Sequence, residues 1–392
     1  MPILWTISAV TSENPLQHPQ HPPTSWDIFC RVIDNHGDLG VCWRLSADLA
    51  QRGHDVRLWV DDVSALSWMA PQDLSAQQVE NTSIAPNIPT PSNVQVMHWQ
   101  DHAQASSPHD VVVEAFGCEL PEHYQQLMAH ALHTVWVNLE YLSAEDYVAR
   151  QHGLPSPVMH GPAKGATKWF FYPGFSSNTG GLLREPDLEQ RQSAFDKTQW
   201  LQQRAFNKPL ADDELLISLF CYEPEALNDL LQQLAQDQTP TRLLVTAGRA
   251  QRAVCEVLPL IESTGSLTVE WLPYMSQTEF DHLLWACDMN FVRGEDSLVR
   301  ALWAGKPWVW QIYPQDDLAH HAKLQALCDK LQMPADLQAF QGRWNHITTT
   351  PLAPLTRAVL DAWGVWSRQT QQLLMHQTDL TTQLIEFTRQ KR

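Results

Sequence analysis

The strongest constraint on this chain is a strand–helix alternation that runs through its first half and then starts again in its second. Asp27 to Ile33, rich in apolar and β-branched residues, predicts a strand. Val41 to Arg52 carries Val41, Leu45 and Leu49 at helical spacing, Gly53 stops it, and Val56 to Val60 predicts the next strand. Strand, helix and strand in quick succession make a parallel crossover unit. Further strands are predicted at Val94 to Trp99, Val111 to Val113 and Thr134 to Val137. Leu154 to Pro186, marked by glycine and proline, reads as a long loop region, and such loops are usually functional.

After a polar stretch from Leu201 to Asp213 the same grammar resumes at Leu215 to Phe220. Strands follow at Thr241 to Thr246, Leu267 to Leu272, Met289 to Val292 and Trp308 to Tyr313, with helices between them. A chain of 392 residues is too long for one ordinary core. Two α/β lobes with a cleft between them are therefore expected. The division is 26–207 for the first lobe and 208–365 for the second, with a C-terminal helix from about 366 to 392 returning to the first.

The remaining composition narrows the setting. Met1 to Val10 lacks the basic start of a signal peptide, and Thr11 to Ser25, rich in Pro, His, Gln and Ser, predicts a disordered extension over 1–25. No apolar run reaches the roughly eighteen residues that a membrane span needs. The seven cysteines are scattered without a Cys-x-x-Cys pair, which suits reduced thiols and a cytoplasmic protein. A formal charge of −18 argues against nucleic acid as a partner, leaves room for a local basic pocket, and would attract a cationic acceptor.

Open parallel sheets bind ligands beyond the carboxyl ends of their strands, so motifs at strand-to-helix junctions point into the cleft. Two junctions stand out. At the first, Asp34, Asn35, His36, Gly37, Asp38, Leu39 and Gly40 form a turn in which two carboxylates bracket glycines that permit close backbone approach. Asp38 could cap the following helix and Asp34 close an Asx-turn; either could serve as general base for an incoming nucleophile. This is not the Gly-x-Gly-x-x-Gly fingerprint of nicotinamide binding.

At the second, Arg293-Gly294-Glu295-Asp296-Ser297 leads into a helix predicted over Leu298 to Ala304, ended by Gly305-Lys306-Pro307. A helix N-terminus with Arg293 beside it suits a pyrophosphate. Glu295 and Asp296 could cap the helix, bond a ribose or face a cationic acceptor. The chain has no serine elbow, phosphate-binding P-loop or zinc spacing. The cluster Gln315-Asp316-Asp317 with His320-His321 has no accompanying ligand spacing, so no metal site is expected.

With both junctions in view, the sequence resembles the elongation factor P arginine rhamnosyltransferases, the EarP family. The likeness is carried by Asp34 to Leu45, Phe116 to Pro121, Asn138 to Glu145, Lys168 to Phe175, Thr179 to Glu185 and Leu283 to Gln315. It covers nearly everything from Trp26 onward; the Met1 to Ser25 extension and His36, where the family has an aromatic residue, depart from it. The resemblance implies a GT-B fold, with two Rossmann-like lobes facing each other across a cleft. It also implies an inverting transfer with dTDP-β-L-rhamnose as donor, an arginine of elongation factor P as acceptor, and no cofactor. By the same resemblance Asp38 is the general base with Asp34 beside it, and Glu295 is a second essential carboxylate. Arg293, Asp296 and Ser297 match the diphosphate turn. Tyr274 and Gln277 match positions that hold the base, with Tyr313, Phe220 and Tyr222 contributing to the same pocket.

The chemistry has use for such groups. A guanidinium is a poor nucleophile because it stays protonated, and a carboxylate can both orient it and accept its proton. The departing diphosphate needs preorganised donors. Other readings of the same features are a different nucleotide-sugar transferase or epimerase on this fold, or a non-catalytic partner of a translation factor.

Overall fold

Parallel strands with both faces covered should read as continuous apolar runs, and most of the strands here do. The computed structural model describes residues 23–32, 37–70, 93–131, 133–204, 206, 210–211, 213–315 and 318–392. In its first half lie β1 (Ser25–Cys30), β2 (Asp55–Val60), β3 (Val94–His98), β4 (Val111–Ala115), β5 (Val135–Leu139), β6 (Pro155–Pro157) and β7 (Thr167–Phe171). They form one sheet in the order β3-β2-β1-β4-β5-β7-β6, parallel except for the β6–β7 pair. Ile28 of β1 sits in register with Leu58 on one side and Val113 on the other.

The second half contributes β8 (Leu215–Leu219), β9 (Thr241–Val245), β10 (Leu267–Trp271), β11 (Met289–Arg293) and β12 (Trp308–Gln311). These pair in parallel in the order β10-β9-β8-β11-β12. In both sheets the strand order reverses beside the first strand of its series, at β1/β4 and at β8/β11. Such switch points open a crevice beyond the strand ends.

Each sheet has its own core. Trp26, Trp43, Leu45 and Leu58 pack around the first, and Leu230, Phe291, Trp303, Trp308 and Trp344 around the second. Each such side chain, fully buried, contributes ~1.5–3 kcal/mol of apolar transfer energy. All seven cysteines are unpaired, with Cys255 alone exposed. Among the described residues no helix is long and apolar enough to cross a membrane.

Two sequence expectations change. The segment from Leu154 to Pro186 is not loop throughout, since β6 and β7 form a hairpin at the sheet edge. Proline at both ends of β6 hides it, yet Pro is tolerated on an edge strand. The C-terminal element that returns to the first lobe is the helix Leu380–Gln390, whose Leu380, Leu384 and Ile385 enter the first core. Residues from 366 to Met375 instead continue the helix Arg357–Met375, which packs Leu360, Trp363 and Leu374 into the second core. Of the extension expected over 1–25, residues 1–22 lie outside the described residues, and Ser25 already belongs to β1.

Candidate active site in the cleft

Beyond the end of β1 the first lobe presents the helix Gly37–Gln51, which starts earlier than the expected Val41 and places Asp38 in its first turn. Asp34 and His36 lie outside the described residues. Asp38 Oδ2 accepts from the Tyr141 hydroxyl at 3.4 Å, long for an O–H···O contact. Tyr141 follows β5, and its ring stacks on Phe116 with centroids 4.6 Å apart. Burial pushes the Asp38 carboxyl up to about 7; the nearby charge of Glu295 adds to the rise and the Tyr141 hydroxyl opposes it. Burial also raises the Tyr141 phenol, with Asp38 and Glu295 acting in the same direction, so it remains a donor.

On the opposite side β11 feeds the helix Gly294–Ala304, so the expected turn at 293–297 folds as the helix's own first turn. Gly294 enters it at φ +63°, in the left-handed region. The two acids of its first turn are both engaged by other partners. Glu295 accepts from Lys323 Nζ at 2.9 Å through Oε1 and from the Leu142 backbone N–H at 2.7 Å through Oε2. Asp296 faces Arg44 Nε at 3.2 Å, without the alignment of a hydrogen bond, so that contact is one of charge.

Arg293 brings the opposite sign to the same helix start. Its guanidinium lies 4.4 Å from the Phe220 ring centre and 4.7 Å from that of Tyr222, and donates to the Cys221 carbonyl at 3.0 Å. Two aromatic faces and one carbonyl leave most of its five donors for a ligand. The Ser297 hydroxyl accepts from the Arg293 N–H at 3.0 Å and donates to the Arg293 carbonyl, which ties it to the helix start.

Between the lobes lies a cavity of about 310 Å³. Its walls include Arg293, Asp296, Ser297, Tyr274, Gln277, Phe220 and Tyr222 from the second lobe, with Gly37, Gly40, Arg44 and Trp68 from the first. Tyr313 is not among them; its ring packs edge-on against Tyr222. Tyr274, 57% exposed, meets Trp68 of the other lobe at 4.9 Å. Asp38 and Glu295 do not line the cavity, whereas their neighbours Gly37, Gly294 and Asp296 do.

Beneath the cavity a buried ionic cluster joins the lobes. Arg44, from the helix that carries Asp38, contacts Glu185 at 3.1 Å, Asp281 at 3.2 Å and the Gln277 carbonyl at 3.3 Å. Arg300 reaches Asp281 at 2.6 Å and Glu185 at 2.7 Å. Burial alone would raise Glu185 and Asp281, but the arginines around them hold both below the usual carboxylate range. Asp296, with less cationic company, is raised by its burial.

This arrangement has known counterparts. Residues 26–389 match the family model for the Elongation-Factor P (EF-P) rhamnosyltransferase EarP. The chain belongs to the EarP family. It is 38% identical over 386 residues to the protein-arginine rhamnosyltransferase of Pseudomonas aeruginosa, covering 93% of this chain and 98% of the relative. It is 46% identical over 317 residues to that of Pseudomonas putida, covering 77% and 80%. A solved structure concerned with EarP-mediated arginine glycosylation of translation elongation factor EF-P superposes with a TM-score of 0.61 at 29% identity. That superposition covers 94% of this chain and 100% of the solved one. The protein is thus a glycosyltransferase, and the GT-B fold implied by the resemblance is the fold observed.

The sequence assigns no role to several residues that the fold brings to the cleft. Arg249 and Arg252 line the cavity from the helix after β9, where Gly248 at φ +93° marks a third strand-to-helix junction that the same rule could have found. Arg249 pairs with Glu223 and lies 4.8 Å from the Tyr222 ring centre. Arg44, Tyr141 and Lys323 had no signal of their own. Among the described residues no group of three or more His, Cys, Asp or Glu could hold a metal; Asp316 and Asp317 lie outside them.

Proposed function

We propose that this protein transfers L-rhamnose from dTDP-β-L-rhamnose to an arginine of elongation factor P, with inversion at the anomeric carbon and Asp38 as general base. The observation that carries the proposal is that Asp38 and Glu295 are held by the consecutive residues Tyr141 and Leu142, beside a cavity into which Arg293 presents its charge. The names of the relatives, protein-arginine rhamnosyltransferases, accord with it.

In this reading the nucleotide occupies the cavity, with the base toward Tyr274 and the diphosphate against Arg293 and the first turn of the helix Gly294–Ala304. Arg252, also in the cavity wall, adds a second cation there. The acceptor guanidinium enters between Asp38 and Glu295, two carboxylates that draw it in and orient it. As its nitrogen bonds to the anomeric carbon, the bond from that carbon to the diphosphate oxygen breaks and one N–H proton passes to Asp38. The leaving charge is met by Arg293 and the helix N-terminus, so no metal ion enters the scheme. Asp34 adjoins the base by resemblance. Seven unpaired thiols suit the reducing cytoplasm, where a translation factor is at hand.

Incubation of the protein with dTDP-rhamnose and elongation factor P tests the proposal. Intact mass spectrometry should show one deoxyhexose added to the acceptor, lost when the modified arginine is replaced by lysine. Transfer from another nucleotide sugar, or to a different acceptor only, would favour the broader transferase reading.

A further inference from the structure

Lys323 belongs to the helix Ala319–Lys330 after β12, outside every motif and junction singled out in the sequence. Its ammonium holds one oxygen of Glu295 at 2.9 Å, while the Leu142 N–H of the other lobe holds the second at 2.7 Å. Both oxygens of Glu295 are therefore held in place, with a cation beside one of them. Lys323 also sits 5.7 Å from the centre of the Tyr141 ring, whose hydroxyl points at Asp38. Only 22% of its side chain is exposed. Burial alone would depress a lysine in such a place, but the Glu295 carboxylate holds it above its usual range, with smaller help from Tyr147 and Glu145.

We infer that Lys323 is a positioning residue for the transfer: together with the Leu142 N–H it fixes the Glu295 carboxylate beside Tyr141 and Asp38 and offsets its charge. The inference rests on the reading of Asp38 as base. Two carboxylates that share a site cannot both ionise freely, and a cation bound to one of them relieves the other. The groups facing Asp38 are Glu295 from the helix Gly294–Ala304, Tyr141 from the segment after β5, and the Cys30 thiol at the end of β1. Glu140 lies near enough for Glu295 to raise its carboxyl, so Lys323 is the cation set among several acids. Without it, Glu295 would act on Asp38 unopposed and Asp38 would hold its proton to higher pH.

The test compares Lys323→Met, Lys323→Arg, Glu295→Gln and the Lys323→Met/Glu295→Gln double variant. Three readouts are needed: the pH profile of kcat/KM for transfer, dTDP affinity by calorimetry, and the Asp38 carboxyl titration by carbon NMR, assigned with Asp38→Asn. In Lys323→Met the acid limb and the carboxyl titration should both move up by about one pH unit, with about fivefold of the rate lost at pH 7 and recovered in base. Lys323→Arg should restore both, dTDP affinity should stay at the wild-type level, and Lys323→Met should move nothing further in the Glu295→Gln background. An unmoved limb and unmoved titration in Lys323→Met would overturn the inference, as would lost dTDP affinity with an unmoved limb, which would place Lys323 at the nucleotide. Absence of transfer by the wild-type protein would instead defeat the proposed function, while the carboxyl titration would still decide the role of Lys323.

Discussion

Gly40 and Gln277 join the two lobes, for the Gln277 side chain donates from Nε2 to the Gly40 carbonyl at 2.9 Å. A Cβ on residue 40 would stand 3.2 Å from that nitrogen and 3.3 Å from Asp296 Oδ2. The helix that carries Asp38 approaches the cavity over bare backbone. Gly40→Ala should therefore push Gln277 and Asp296 aside, at a cost of ~1–3 kcal/mol for overpacking. A lower melting temperature and weaker dTDP binding are expected. Wild-type values in both thermal scans and calorimetry would show that the contact yields freely.

The raised Asp38 carboxyl fixes the sign of two pH effects. A base must be ionised, so kcat/KM should climb through about pH 7 and level off above it. Folding should respond in the opposite sense. The group binds its proton more tightly when folded, with a carboxyl at about 7 against an ordinary 3.8. Its contribution to stability is therefore present below 3.8 and is lost as pH rises through 7. A pH–rate profile with its acid limb near 4 would contradict this.

Asp38→Asn separates base from binder. Transfer should fall by ~10²–10⁴, the range for removal of a general base, while dTDP affinity holds. The same variant should melt higher than wild type at pH 8, because it removes a buried charge beside Glu295. Loss of dTDP binding in calorimetry would instead move Asp38 to the nucleotide site.

Arg293→Ala removes the guanidinium held between Phe220 and Tyr222. Hydrogen bonds from a charged group contribute ~1.5–3 kcal/mol, so dTDP affinity should drop roughly tenfold to a hundredfold. Thymidine, which has no phosphate, should be affected far less. Equal losses for both ligands in calorimetry would point to collapse of the pocket.

Arg44→Met breaks the buried cluster from one side and leaves Asp296 without its ion-pair partner. Removing one partner of such a cluster costs ~3–5 kcal/mol, far more than an exposed pair would. The chain should melt well below wild type, and Arg44→Lys should recover only part of the loss, since one ammonium cannot span three carboxylates. An unchanged melting curve would show that Arg300, with Arg191 at 3.4 Å from both Glu185 and Asp281, suffices.

Both junctions are legible in the sequence because strand ends are local events. An apolar run stops, glycine and charged residues follow, and a helical spacing begins. Asp38 and Arg293 were found in this way, and the same rule would have reached Arg249 had it been applied after β9. The β6–β7 hairpin was missed because its prolines and nearby glycines look like loop. Arg44, Tyr141 and Lys323 were missed for a different reason: each acts through a partner far away in the chain, as Arg44 does with Asp281 and Tyr141 with Asp38.

The sequence by itself determined two α/β series, the ends of their strands, and the kinds of side chain that arrive at those ends. Only the tertiary structure decided that β1/β4 and β8/β11 are the points where strand order reverses, which sets Asp38 and Arg293 at one cleft. It also decided that Glu295 and Asp296 pair with Lys323 and Arg44, while Arg293 lines the cavity. Periodicity and turn chemistry act over a few residues and can be read along the chain. The direction in which a buried charge points is set by which distant charge packing brings beside it, because low-dielectric surroundings make an unpartnered one costly.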